Sequence, residues 1–87
     1  MAKALQKRLE EVLTKELKNG RAELETLPNG RICGHVISSE FRGKTYENRR
    51  LRLRRVLEKH LKPHELERIS LLLTYTPKEY SFEPEEL

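Results

Sequence analysis

The sequence predicts an α+β domain, a three-stranded mixed sheet with helices packed on one face. Three observations predict it. Apolar residues recur at helical spacing near the N-terminus and again in the middle of the chain. An alternating stretch breaks at Pro28-Asn29-Gly30, as a hairpin does. An unbroken apolar run of strand length lies near the C-terminal end. Eighty-seven residues hold one core. The expected division is a single domain over 1–82 and a loose acidic tail over 83–87.

The first helix is expected over 2–18. Leu5, Leu9, Val12, Leu13 and Leu17 return every three or four positions, and Lys, Arg and Glu fill the other side. Asn19-Gly20 closes it, because both accept a left-handed cap. Residues 21–27 alternate, with Ala22 and Leu24 on one side and Glu23 and Glu25 on the other. The Pro-Asn-Gly turn returns the chain as a second strand over 31–38, whose apolar members are Ile32, Val36 and Ile37. Residues 41–44 form a loop, and Thr45 is an N-cap. A second long helix covers 46–61, with Tyr46, Leu53, Val56, Leu57, His60 and Leu61 on its inner face. Pro63 ends it and starts a helical turn reaching Arg68. The run Ile69–Tyr75 suits a strand buried on both faces. Thr76-Pro77-Lys78-Glu79 supplies cap, proline and glutamate for a short last helix through Phe82. The crossover between the second and third strands should be right-handed. This order, α-β-β-α-α-β with a short helix appended, is that of K-homology-like folds.

Composition removes several function classes. All 14 acidic residues are Glu, so neither a Ser-His-Asp triad nor an aspartic dyad can be built. No nucleophile–base pair stands out, and no enzyme activity is expected. No apolar run approaches the roughly 18–20 residues of a membrane span. The N-terminal residues lack the apolar stretch of a secretory signal, and one cysteine forms no internal disulfide. The expected location is the cytoplasm or an organelle matrix. Gly43-Lys44-Thr45 resembles the end of a phosphate-binding loop, but the required earlier glycine is Ser38.

Charge is unevenly placed. Residues 42–62 carry nine basic side chains against Glu47 and Glu58, a local charge of +7 in a chain of net +4. The last eleven residues carry −3. Arg42, Lys44, Arg49, Arg50, Arg52, Arg54, Arg55 and Lys59 are the candidate polyanion-binding residues. Arg52, Arg55 and Lys59 share a helical face away from Leu53 and Leu57. Few aromatics are available for stacking, so a duplex backbone or an acidic protein surface suits this face better than a single strand. The plainer alternative is a solvated helix face. Cys33 is first a small, half-buried strand residue and second a ligand candidate; His35 would share its face. A protein-only metal site needs further ligands.

Two stretches resemble the BolA family. One is Ile37-Ser38-Ser39-Glu40-Phe41-Arg42-Gly43-Lys44 and the helix start Tyr46-Glu47-Asn48-Arg49-Arg50. The other is Leu73-Thr74-Tyr75-Thr76-Pro77-Lys78-Glu79-Tyr80. The resemblance covers nearly the whole chain and implies a class II K-homology-like fold. It implies two activities. One is DNA-binding transcriptional regulation in stress responses. The other is partnership with a monothiol glutaredoxin around a shared [2Fe-2S] cluster. The resemblance gives the cluster ligands as a His before the last strand and a His or Cys in the first hairpin loop. Arg68 stands at the first of these positions, and an always-charged guanidinium is not a usual ligand. Cys33 and His64 are the substitute candidates. The expectation is a divergent adaptor, monomeric or weakly dimeric, that binds DNA or an acidic partner through its Arg-rich helix. The alternative is an iron–sulfur chaperone.

Overall fold

The computed structural model describes residues 2–81, with side chains from 4 to 80. The acidic tail and the reach of the last helix to Phe82 lie outside the described residues.

Helix α1 (Ala2–Glu16) is followed by β1 (Arg21–Thr26) and β2 (Ile32–Ile37). A 3-10 turn (Ser39–Phe41) leads to α2 (Tyr46–His60) and α3 (Pro63–Leu66). The chain then enters β3 (Ile69–Tyr75) and ends in α4 (Pro77–Ser81). The strand order is β1-β2-β3, with β1 antiparallel and β3 parallel to β2. This is the expected α+β arrangement. No described helix is long and apolar enough to cross a membrane.

Leu5, Leu9 and Leu13 of α1, continued by Leu17 just past its end, lay one apolar stripe on the sheet. Leu53, Val56 and Leu57 of α2, with Leu61 at its C-terminal cap, lie beside them, over Ile32, Val36 and Leu72 of the sheet. Phe41 comes from the 3-10 turn, where a loop was expected, and is fully buried. Ser38 makes that turn possible. Its hydroxyl donates to the Lys18 carbonyl at 2.7 Å and accepts from the Glu40 amide at 3.0 Å. Gly30 takes φ 86° in the hairpin turn, a conformation that favours glycine.

Two expectations about burial are corrected. Strand β3 is not buried on both faces: Leu72 and Thr74 face the core, whereas Leu71 is 54% exposed. No described helix other than the short α4 packs on that side of the sheet, so Leu71 meets solvent while Leu73 and Tyr75 are half-buried. Tyr46 and His60 do not join the inner face of α2. Tyr46 is 49% exposed and lines a groove between α2 and β3. His60 turns to α1, where its Nε2 lies 2.9 Å from Glu16 Oε2.

Candidate nucleic-acid interface

Helix α2 starts at its predicted cap: Thr45 Oγ1 accepts from the Asn48 amide at 3.2 Å. Leu53, Val56 and Leu57 fix the inner stripe. Five of the seven residues from 49 to 55 are Arg, and the sequence leaves them only the flanks and the outer surface.

Two of these arginines are committed to the fold. Arg49 donates from both Nη atoms to the Glu79 carboxylate at 2.9 and 3.1 Å, and from Nε to the Lys44 carbonyl at 3.1 Å. Its side chain is 13% exposed, and it clips α2 to α4. Arg52 donates from Nε to Glu40 at 2.8 Å and from Nη2 to the Glu16 carbonyl at 3.3 Å, which ties α2 to α1 and the 3-10 turn. The hydrogen bond from each guanidinium holds its partner carboxyl, Glu79 or Glu40, below the usual range.

The remaining basic residues are more available. Arg54 pairs with Glu58 one helical turn on, at 3.0 Å, and Lys59 lies 3.7 Å from Glu16. Exposed pairs of this kind are worth little and exchange readily. Arg50 lies over the Tyr46 ring, 5.8 Å from its centroid. Arg42, Lys44 and Arg55 are exposed and in no ion pair among the described residues. Arg55 and Lys59 are one turn apart on the outer surface of α2, and Arg42 and Lys44 precede its N-terminus. A helix N-terminus adds a partial positive charge. The arrangement therefore presents cations along about four helical turns, and among the described residues no ion pair holds four of them, Arg42, Lys44, Arg50 and Arg55.

The metal candidates are dispersed. Cys33 and His35 do share a face, the open side of the sheet, where they line a hollow of about 490 Å³ together with Glu23, Glu25 and Tyr80. His35 is engaged there. Its Nδ1 lies 3.4 Å from Tyr80 Oη, which donates to Glu23 at 2.5 Å. Its ring packs edge-on against Tyr75 at 5.3 Å. His64, exposed on α3, lies outside that hollow. Arg68 is beside the hairpin, its carbonyl accepting from the Ile32 amide at 2.8 Å. No three His, Cys or Glu side chains among the described residues are grouped to hold a metal. Of the ligand pair that the resemblance implies, Arg68 stands in place of the His, and His64 is apart from the hollow that Cys33 lines.

Reading the sequence missed a second surface feature. Among the described residues Tyr46, Leu51 and Leu71 are the exposed large apolar ones, and all three line one groove between α2 and β3. Leu51 was the legible signal, a leucine on the arginine side of the helical wheel. No protein-family model matches the chain, and no curated protein sequence matches it.

Proposed function

We propose that the protein is a non-enzymatic, BolA-like adaptor that binds duplex DNA through the phosphate backbone. The contacts come from the outer surface of α2 and the loop before it. The observation that carries this reading is the unequal commitment of the basic residues. Arg49 and Arg52 hold the fold together, whereas Arg42, Lys44 and Arg55 form no ion pair among the described residues, Lys44 acting on Glu40 only through space. Arg50, Arg54 and Lys59 can join them by giving up weak contacts. Backbone contacts of this kind carry affinity but little sequence information.

The test is fluorescence anisotropy with a short duplex across a salt series. Four neutralised phosphates give a slope of about 3–4 log units of affinity per log unit of salt. Arg42→Glu/Arg55→Glu should weaken binding by about tenfold or more at low salt, roughly 1.4 kcal/mol. A salt-independent affinity, or no change in the double variant, removes the reading. Cluster sharing with a monothiol glutaredoxin would have Cys33 as its nearest available ligand. A coloured complex from anaerobic copurification, lost in Cys33→Ser, would displace the present proposal.

A further inference from the structure

The two outer strands of the sheet are guarded very differently. Along β1, Arg21, Glu23 and Glu25 alternate with the core-facing residues, and Arg21 pairs with Glu23 at 2.9 Å. Charged edges of this kind resist pairing with another chain. Strand β3 pairs with β2 on one side, and its seven residues, ISLLLTY, carry no charge and no proline; at the far end of its outer edge the Thr74 carbonyl accepts from Arg49 Nη1 at 3.4 Å, which leaves the edge from Ile69 to Leu73 for pairing. They are rich in strand-forming types. Beside this edge lies the groove of about 740 Å³ under α2, into which Tyr46, Leu51 and Leu71 project. Leu51 and Leu71 are each 54% exposed. Leu71 lines both this groove and the hollow on the open face, so it sits at the turn of the edge.

We infer that β3 and this groove form a homodimer interface, with β3 of one copy paired antiparallel to β3 of the other. Two properties favour a second copy as the occupant. First, the groove rim is charge-balanced, with Arg50 and Arg54 against Glu47 and Glu58. A two-fold axis passing near Leu51 sets Glu47 opposite the partner's Arg54 and the reverse, so identical rims attract. Second, the pairing closes. It joins the two sheets into six strands whose outer edges are both β1, the charged strand, and growth stops there. The apolar side chains at the seam supply burial that neither copy achieves alone.

The proposal does not rest on DNA binding: Arg42, Lys44 and Arg55 do not line the groove, and only Arg50 and Arg54 of its rim are shared with that reading. Sedimentation equilibrium of the full chain over a concentration series tests it. The expected mass rises to twice 10.3 kDa. Leu51→Glu and Leu71→Lys should each weaken the dimer by about tenfold or more, since each sets a charge against its own image across the axis. Both positions are exposed, and thermal melts should show folded variants. Glu25→Lys on β1 should leave the mass unchanged. Amide exchange in β3, but not in β1, should slow as the dimer forms. A monomer at every concentration overturns the inference and leaves the groove to a strand from another protein. A dimer insensitive to both leucine variants, or one that protects β1, overturns it as well.

Discussion

Thr74 points into the core from β3, beside Val36 of β2, and is 6% exposed. Its Oγ1 has no hydrogen-bond partner among the described residues. A buried hydroxyl without a partner costs about 1–3 kcal/mol. Thr74→Val should therefore stabilise the protein by about 1 kcal/mol, which raises the melting temperature by about 4–8 °C in a domain of this size. A lowered melting temperature would show that the hydroxyl is satisfied. Residue-scale roles of this kind were poorly legible in the sequence. Arg52 and Arg55 belong to the same run, yet one is fixed to Glu40 and the other is in no ion pair among the described residues. The partners that decide this come from afar: Glu40 is 12 residues before Arg52, and Glu79 is 30 residues after Arg49. Local spacing shows that a helix is basic and where its apolar stripe runs. It does not show which cations the tertiary fold consumes. For Cys33 and His35 the alternation of a strand was enough, and they do share a face.

At the scale of elements, β2 controls the sheet because it is hydrogen-bonded on both sides. Gly34 lies at its middle with φ 153°. A Cβ there would meet the Glu23 carbonyl and stand 2.8 Å from the Leu24 Cα. The close approach of β1 thus depends on the missing side chain. Gly34→Ala should cost about 2–4 kcal/mol from strain and overpacking together. That is a large part of the roughly 4–13 kcal/mol expected for a domain this small. Urea unfolding measures it, and an unchanged midpoint would show that the strands can separate freely. Element positions themselves were largely legible, because caps and turn residues act locally: Thr45 starts α2 and the Pro-Asn-Gly turn joins β1 to β2. The double burial expected for β3 failed for a different reason. A continuous apolar run fits both a covered strand and an uncovered edge, and only the packing of other elements distinguishes them.

Over the whole molecule, carboxylates clip the helical layer together. Glu65 of α3 receives two hydrogen bonds from Arg8 of α1, both at 3.0 Å. Its side chain is 17% exposed, and the Arg8 hydrogen bonds, with the Lys62 amide, hold its carboxyl down to about 2 from an ordinary 4.5. Glu16, Glu40 and Glu79 are lowered too, chiefly by hydrogen bonds from His60, Arg52 and Arg49. These clips join α1 to α3, α1 to α2, the 3-10 turn to α2, and α4 to α2. A carboxyl whose folded value lies below its unfolded value contributes stability that is fully present above the unfolded value. That contribution is lost as pH falls from about 4.5 toward the folded value, about 2 for Glu65. The melting temperature should therefore hold between neutrality and mild acid and fall through this window. Arg8→Ala should make the fall shallower by removing the share that Glu65 contributes, while lowering stability at neutral pH. Added salt should weaken the exposed clips at neutral pH more than the half-buried ones. A melting temperature that stays flat into this acid range, or an Arg8→Ala profile parallel to that of the unaltered chain, would mean that apolar packing alone holds the helices to the sheet.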